Sequence, residues 1–279
     1  MSGLALITVP LAAEEPVDKS GYTLFRPVPR ELMRPMSLDR PDKTESPYTV
    51  DAGHYQLEMD LVSGFWDRES GPAGDVTTSG FAVAPMNWKA GLVNHVDFQW
   101  ILQPYNRLRV DDPEAGPPTT RSGLGEMLTR LKINLWGDDG GPTALAVMPY
   151  IAWPTAHEDL GTDHVAGGIV LPFAAELPAG FGLGMMAQAD FQKTSNGDGF
   201  ATVFIQTITL GRDLFGPVAG FVEFYGEVST EEGIPWVGTF DFGLTWTFAE
   251  DWILDAGLNV GVTRSAPDLN PFAGLSHRF

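Results

Sequence analysis

From Pro47 onward the chain alternates apolar and polar residues with a period of two, the signature of strands with one apolar face. In the first such run Leu57, Met59 and Leu61 oppose Gln56, Glu58 and Asp60. A second, around Gly80 to Asn87, is short and interrupted by Pro85. In the third, Val96, Phe98, Trp100 and Leu102 oppose His95, Asp97, Gln99 and Gln103. In the fourth, Met127, Thr129, Leu131, Ile133 and Leu135 oppose Arg130, Lys132 and Asn134. The fifth, Ala144 to Trp153, is apolar on both faces, so its register stays open. Ile169, Leu171, Phe173 and Leu177 share one side of the sixth, and Phe181, Leu183, Met185, Ala187 and Phe191 oppose Gln188 and Asp190 in the seventh.

The eighth, Phe200 to Leu210, is mixed and Thr-rich. In the ninth, Val222, Phe224 and Val228 oppose Glu223, Tyr225 and Glu227. In the tenth, Phe240, Phe242, Leu244, Trp246 and Phe248 oppose Thr239, Asp241, Thr245 and Thr247. The eleventh, starting at Trp252, sets Leu254, Ala256, Leu258, Val260 and Val262 against Ile253, Asp255, Gly257, Asn259, Gly261 and Thr263. The twelfth runs from Pro271 to Phe279, with Ala273, Leu275, His277 and Phe279 opposite Ser276 and Arg278. Twelve strands, an even number with lengths near the ~9–11 residues of a tilted membrane crossing, predict an all-β fold: a closed, antiparallel, up-and-down transmembrane barrel over residues 48–279. Closure also removes the exposed edges of an open sheet.

The predicted connections alternate. Short ones fall at Trp88–Gly91, Gly137–Gly141, Pro178–Gly180, Gly211–Gly216 and Ala249–Asp251. Longer ones fall at Gly64–Gly80, Asn106–Arg121, Pro154–Asp163, Gln192–Gly199, Ser229–Pro235 and Arg264–Asn270. This is the asymmetry of periplasmic turns and external loops, and it puts both termini in the periplasm. A large soluble barrel binding a ligand is the alternative, because periodicity alone does not say which face points inward. Trp66, Trp88, Trp136, Trp153 and Trp252 near strand ends fit interfacial girdles.

Two segments precede the strands. Leu4 to Ala13 is apolar and ends Ala12-Ala13, which reads as the tail of a signal peptide over residues 1–13. Residues 14–47 contain Pro16, Pro27, Pro29, Pro35, Pro41 and Pro47, too many for helix or ladder. This extended leader also holds Lys19, Arg26, Arg30, Arg34, Arg40 and Lys43, six of the chain's 17 basic residues. A leader carrying Arg26, Arg30, Arg34, Arg40 and Lys43 can fold back as a plug in an acidic lumen, or serve as a periplasmic tether.

Charge and composition narrow the function. The formal net charge is −19 and no basic stripe occurs, which excludes a nucleic-acid partner. Cysteine is absent, removing disulfides and thiol chemistry. No phosphate-cradling or metal motif appears, so no cofactor and no metal is expected. The acids Asp111, Asp112 and Glu114, or Glu158, Asp159 and Asp163 beside His157 and His164, read as solvated loop groups. A twelve-stranded lipid hydrolase using Ser, His and Asn is a precedent for catalysis. Here His54, His95, His157, His164 and His277 have no such partners at a telling spacing, so an enzyme is not expected. The lumen and selectivity candidates are Glu58, Asp60, Asp97, Arg130, Lys132, Asp190, Glu223, Glu227, Asp241 and Asp255. A salt-bridged, closed interior is the competing reading.

Several stretches resemble the bacterial outer-membrane family named for the MetA pathway of phenol degradation. They are Leu38 to Gly53, Gly123-Leu-Gly-Glu, Leu131 to Gly141, Gly168 to Pro172, Val222 to Glu227, Leu254 to Gly261 and Pro271 to Ser276. The resemblance covers about residues 38–279, with Glu126 and His277 as departures. It implies an outer-membrane barrel passing small aromatic or other hydrophobic molecules by passive diffusion, among lipid and lipopolysaccharide. A non-conducting structural or adhesive barrel is the alternative. The aromatic C-terminus resembles the closing strand of such barrels, which makes Gly274 and Phe279 the expected signal to the barrel assembly machinery.

Overall fold

The computed structural model describes residues 18–71, 74–157 and 160–279. The expected signal-peptide remnant, and Glu158 and Asp159 of the loop acids, lie outside the described residues. The strands are β1 (Tyr55–Gly71), β2 (Gly74–Val83), β3 (Met86–Val93), β4 (Val96–Leu102), β5 (Tyr105–Asp111), β6 (Thr119–Gly123), β7 (Met127–Trp136) and β8 (Thr143–Trp153). They continue with β9 (Ala166–Leu177), β10 (Phe181–Lys193), β11 (Phe200–Phe215), β12 (Val218–Ser229), β13 (Val237–Ala249), β14 (Trp252–Gly261) and β15 (Leu269–Arg278). All neighbours pair antiparallel, and β15 pairs with β1 to close the barrel. Closure leaves a membrane wall no free ladder to satisfy except at local breaks.

Three crossings are each made of two segments: β2 with β3, β4 with β5, and β6 with β7. Twelve crossings result, as expected. The breaks sit at Ala84-Pro85, Gln103-Pro104 and Leu124 to Glu126, where proline removes a ladder donor or glycine lets the chain bend. Ala84 adopts φ +56°. β6 pairs only with β5, and its far side is reached by a loop hydrogen bond from His157 N to Leu124 O at 2.8 Å.

Several boundaries differ from expectation. Gly64–Gly80 is no loop: β1 and β2 pair as far as Gly71 opposite Gly74. Trp88–Gly91 is no turn either; it lies inside β3, and the chain reverses at Asn94-His95. His95 therefore has φ +66° and a half-exposed ring instead of a lumen-facing strand position. Much of Asn106–Arg121 is β5 and β6, and Gly211 to Phe215 extends β11. In each case small or polar residues that read as turn signals are carried by a ladder. With these shifts, short connections still alternate with longer ones, except that the first long one is a tight hairpin.

The faces separate as a membrane barrel requires. Phe98, Trp100, Leu131, Ile169, Leu171, Phe224, Phe240, Phe242 and Leu244 are exposed, whereas Lys132, Asp97, Gln99, Glu223 and Asp241 are 0–1% exposed. Apolar groups thus face outward and charges inward, which removes the soluble-barrel alternative. Of the open registers, those of the fifth and eighth runs also resolve. In β8, Ala144, Ala146, Met148 and Ala152 point inward, and Met148 packs with Val170 and Met186. The lumen wall is apolar there, which is why both faces of that run look alike. In β11 the inward set includes Ala201, Val203 and Thr207.

The leader lies inside this wall as a re-entrant finger. Lys19 Nζ reaches Asp51 at 3.3 Å, Val28 N donates to Ala52 O at 3.0 Å, and Ser37 Oγ meets Ser46 Oγ at 2.7 Å. Both limbs start at the short-turn end, and the tip spans residues 40–45. Gly91 marks its closest approach: a Cβ there would overlap the Asp51 and Val50 carbonyls. Gly91→Val is therefore expected to leave the barrel folded, with heat-shifted mobility on gels, but to expose the leader to trypsin at its lysine and arginine residues.

Candidate functional site: the leader and the lumen wall

An extended chain has no ladder of its own, so its backbone N–H and C=O groups need partners. The wall supplies them. Glu223 Oε2 accepts Lys43 N at 2.8 Å, while its Oε1 accepts Thr44 N at 2.8 Å and the Thr44 hydroxyl at 2.5 Å. Glu58 accepts Asp39 N at 2.9 Å, and Asp97 accepts Val50 N at 3.1 Å. Asp138, in the β7–β8 turn, accepts Thr49 N at 2.9 Å and its hydroxyl at 2.5 Å. In the other direction Gln56 donates to Ser37 O, Asn134 to Pro47 O, Lys132 to Tyr48 O and Arg278 to Arg34 O, at 2.8 to 3.2 Å.

Charge pairs add a second layer. Asp39, on the leader, is surrounded by Lys89 at 2.6 Å, Arg130 at 3.6 Å and Lys132 in closer contact. Lys89 also pairs with Glu58, and Arg130 holds Glu45 through two bonds of 2.5 and 3.0 Å. Arg40 grips Asp255 with bonds of 2.8 and 2.6 Å and pairs with Asp60 at 2.7 Å. A Cβ at Gly274 would overlap the Arg40 guanidinium, so Gly274 has a packing reason of its own. Lys43 reaches Asp241 at 3.1 Å and lies 4.3 Å from the Tyr225 ring centroid. Arg34 pairs with Asp51 and Asp138, and Arg30 with Asp251 at 2.8 Å.

The sequence candidates therefore divide. Glu58, Asp60, Asp97, Arg130, Lys132, Glu223, Asp241 and Asp255 all contact the leader directly. Asp190 and Glu227 instead bind wall tyrosines: Tyr150 donates to Asp190 at 2.5 Å and Tyr225 to Glu227 at 2.6 Å. Among the leader bases Arg34, Arg40 and Lys43 enter the lumen, whereas Arg30 stays at the rim and Arg26 sits near Tyr22. Sequence reasoning missed Lys89, read as part of a turn, Asp138, and the leader acids Asp39, Glu45 and Asp51. Lys89 had a signal, since Asn87 and Lys89 share a parity beside Trp88.

Charge balance in the finger is uneven. Burial raises the Asp39 carboxyl, but Lys132, Lys89 and Arg130 outweigh it and hold Asp39 well below the usual range. Asp42 at the tip has no such partners: burial first, then the nearby Glu223 charge, push it up to about 8.

Two cavities flank the tip. On the longer-loop side, about 530 Å³ is lined by Phe65, Leu108 and Phe272 beside Asn106, Asn259 and Asn270. On the short-turn side, about 530 Å³ is lined by Phe221, Thr209 and neighbouring glycines. Arg40, Pro41 and Asp42 border both. The finger stands between them.

Two outcomes are expected. Lys89→Met takes the cation from buried Glu58, while Asp39 keeps Lys132 and Arg130, and costs about 3–5 kcal/mol, measurable as a lower urea midpoint. The second follows from Asp42. Docked, it keeps its proton up to about pH 8; released, it keeps it only to an ordinary value of ~3.9. Docking is therefore favoured at low pH and weakens as pH rises between those values. A nitroxide on Met36→Cys, in this cysteine-free chain, should become more mobile as pH rises toward 8, and Asp42→Asn should flatten that response.

Comparison with known proteins agrees with the architecture. The crystal structure of the COG4313 outer membrane channel from Pseudomonas putida F1 superposes with a TM-score of 0.61 at 13% identity, covering 87% of this chain and 100% of that one. The beta domain of the Bordetella autotransporter BrkA gives 0.50 at 15% identity, covering 81% and 99%. The NanC porin gives 0.48 at 10%, covering 79% and 98%. At these identities the first two likenesses show the fold alone. No curated protein matches the chain. The sequence itself matches, over residues 38–279, the family described as "Putative MetA-pathway of phenol degradation", and the chain belongs to that family.

Proposed function

We infer that this protein is an outer-membrane channel that passes small, hydrophobic or aromatic solutes by passive diffusion, without catalysis. The observation that carries this reading is the pair of cavities that share the finger tip at Arg40–Asp42 as a common wall. Apolar rings beside asparagine amides on the longer-loop side suit a solute with an apolar body and a polar group. A volume near 530 Å³ is of the size that accommodates one small molecule. The family description, with its reference to phenol degradation, and the channel named in the Pseudomonas structure point the same way. The short turns and both ends of the described chain face the periplasm in this reading, and the longer loops face outward.

Phe279 serves assembly. Its backbone N donates to Tyr55 O at 2.8 Å, and its ring stacks on Trp88 at 6.1 Å and meets His277 edge-on at 4.4 Å. It finishes the β15–β1 seam at the rim, where assembly machinery can read it.

The alternative, a non-conducting structural barrel, draws on the many bonds that hold the finger in place. Planar bilayers and liposomes separate the two. The channel reading expects small conductance steps and uptake of neutral aromatics. Both should rise about several-fold when Arg40→Ala removes the grip on Asp255 and Asp60, a change of about 1 kcal/mol or more in gating. Neither conductance nor uptake, in wild type or variant, would leave the structural barrel.

A further inference from the structure

The outer surface is not uniformly apolar. At Leu61 the pairing of β1 with β15 slips by one residue between Asp60 and Val62, and the parity of β1 reverses. Beyond it Ser63 and Phe65 face the lumen cavity, while Trp66 and Arg68 face outward. The ladder carries this parity across the hairpin. Phe81 stands opposite Arg107, and Ser79 opposite both Trp66 and Arg109. Both arginines therefore lie on the outer face of β5, and both are exposed.

The rows of this face change character within a few residues. Val62, Val83 and Tyr105 form one row, Phe81 and Arg107 the next, then Trp66, Ser79 and Arg109. Trp66, Phe81 and Tyr105 are each about 40% exposed, and Phe81 and Tyr105 lie 6.0 Å apart. Such a transition from apolar rows through aromatics to cations is what a membrane boundary selects. Among the described residues no carboxylate lies within ion-pair distance of Arg107. Arg109 meets Asp111 only at 3.5 Å, in an exposed pair that holds weakly. In a chain of net charge −19, a cationic spot on the lipid-facing side is a local reversal. A guanidinium offers a planar fork that fits phosphate oxygens two at a time.

We propose that Arg107 and Arg109 form a docking site for a phosphate-bearing glycolipid of the outer leaflet, with Trp66, Phe81 and Tyr105 against its apolar part. Ser79, level with Arg109, offers a hydroxyl to its sugar. This rests on the orientation given under the proposed function, with the longer loops outermost. It does not depend on whether the lumen conducts.

The test uses the full chain, purified in detergent, and reads lipid binding by native mass spectrometry. The probes are lipid A, fully dephosphorylated lipid A and phosphatidylglycerol. Lipid A is expected to bind about tenfold or more tighter than the dephosphorylated form, and the double variant Arg107→Glu/Arg109→Glu should lose about that factor. Arg212→Glu, at the opposite end, should bind as wild type does. The proposal is overturned if the double variant binds lipid A normally or if dephosphorylated lipid A binds equally well. It is also overturned if phosphatidylglycerol matches lipid A, which would mean general attraction of anions. Heat-shifted mobility checks folding, and Arg107→Gln/Arg109→Gln replaces the charge-reversed pair if that fails. Solute uptake in glycolipid-free liposomes is scored separately, so a failed channel reading and a failed docking site give different results.

Discussion

An extended peptide inside a barrel carries the same obligation as one inside a protein core, because each enclosed N–H and C=O must be bonded. Most of the lumen chemistry of this chain answers that demand. Glu223, Glu58, Asp97 and Asp138 accept from the backbone of the finger, and Gln56, Asn134, Lys132 and Arg278 donate to it. Charges that would repel one another on an empty wall become acceptors with assigned partners. The finger and the wall are one polar network, and neither is electrostatically reasonable alone.

The barrel was legible in the alternation because lipid imposes a simple rule: apolar on one parity, charges on the other. The even strand count, the polar lumen and the last two strands between Trp252 and Phe279 all follow from it. What the pattern hid were places where the rule is broken locally. The slip at Leu61 and the breaks at Pro85 and Pro104 change which residues face outward, so Gly64–Gly80 read as a loop and Trp88–Gly91 as a turn. The run at β8 was ambiguous because the lumen itself is apolar beside Met148 and Val170.

The candidate site was legible by half. Period two sorted the wall charges correctly into one set, yet it carried no information about what they contact. The leader was read through its bases, which do pair with Asp255, Asp241 and Asp138. Its acids mattered as much: Asp39 gathers Lys89, Arg130 and Lys132 into one cluster. A segment without periodicity gives no register, and only the fold brings Asp39 within reach of residues fifty and more positions away.

The path of the finger has a mechanical consequence. Its two limbs lie against each other from Lys19–Asp51 to Ser37–Ser46, and both leave through the same rim. In the proposed channel a plug of this shape would leave as a fingertip leaves a glove: no free end would have to thread the lumen, and the β1–β15 seam would stay shut. The outgoing limb continues directly into β1 at Tyr55, so the withdrawn segment stays tethered at its own doorway. Return is then an intramolecular event whose rate does not depend on protein concentration. In the proposed channel that would make the finger a reusable stopper.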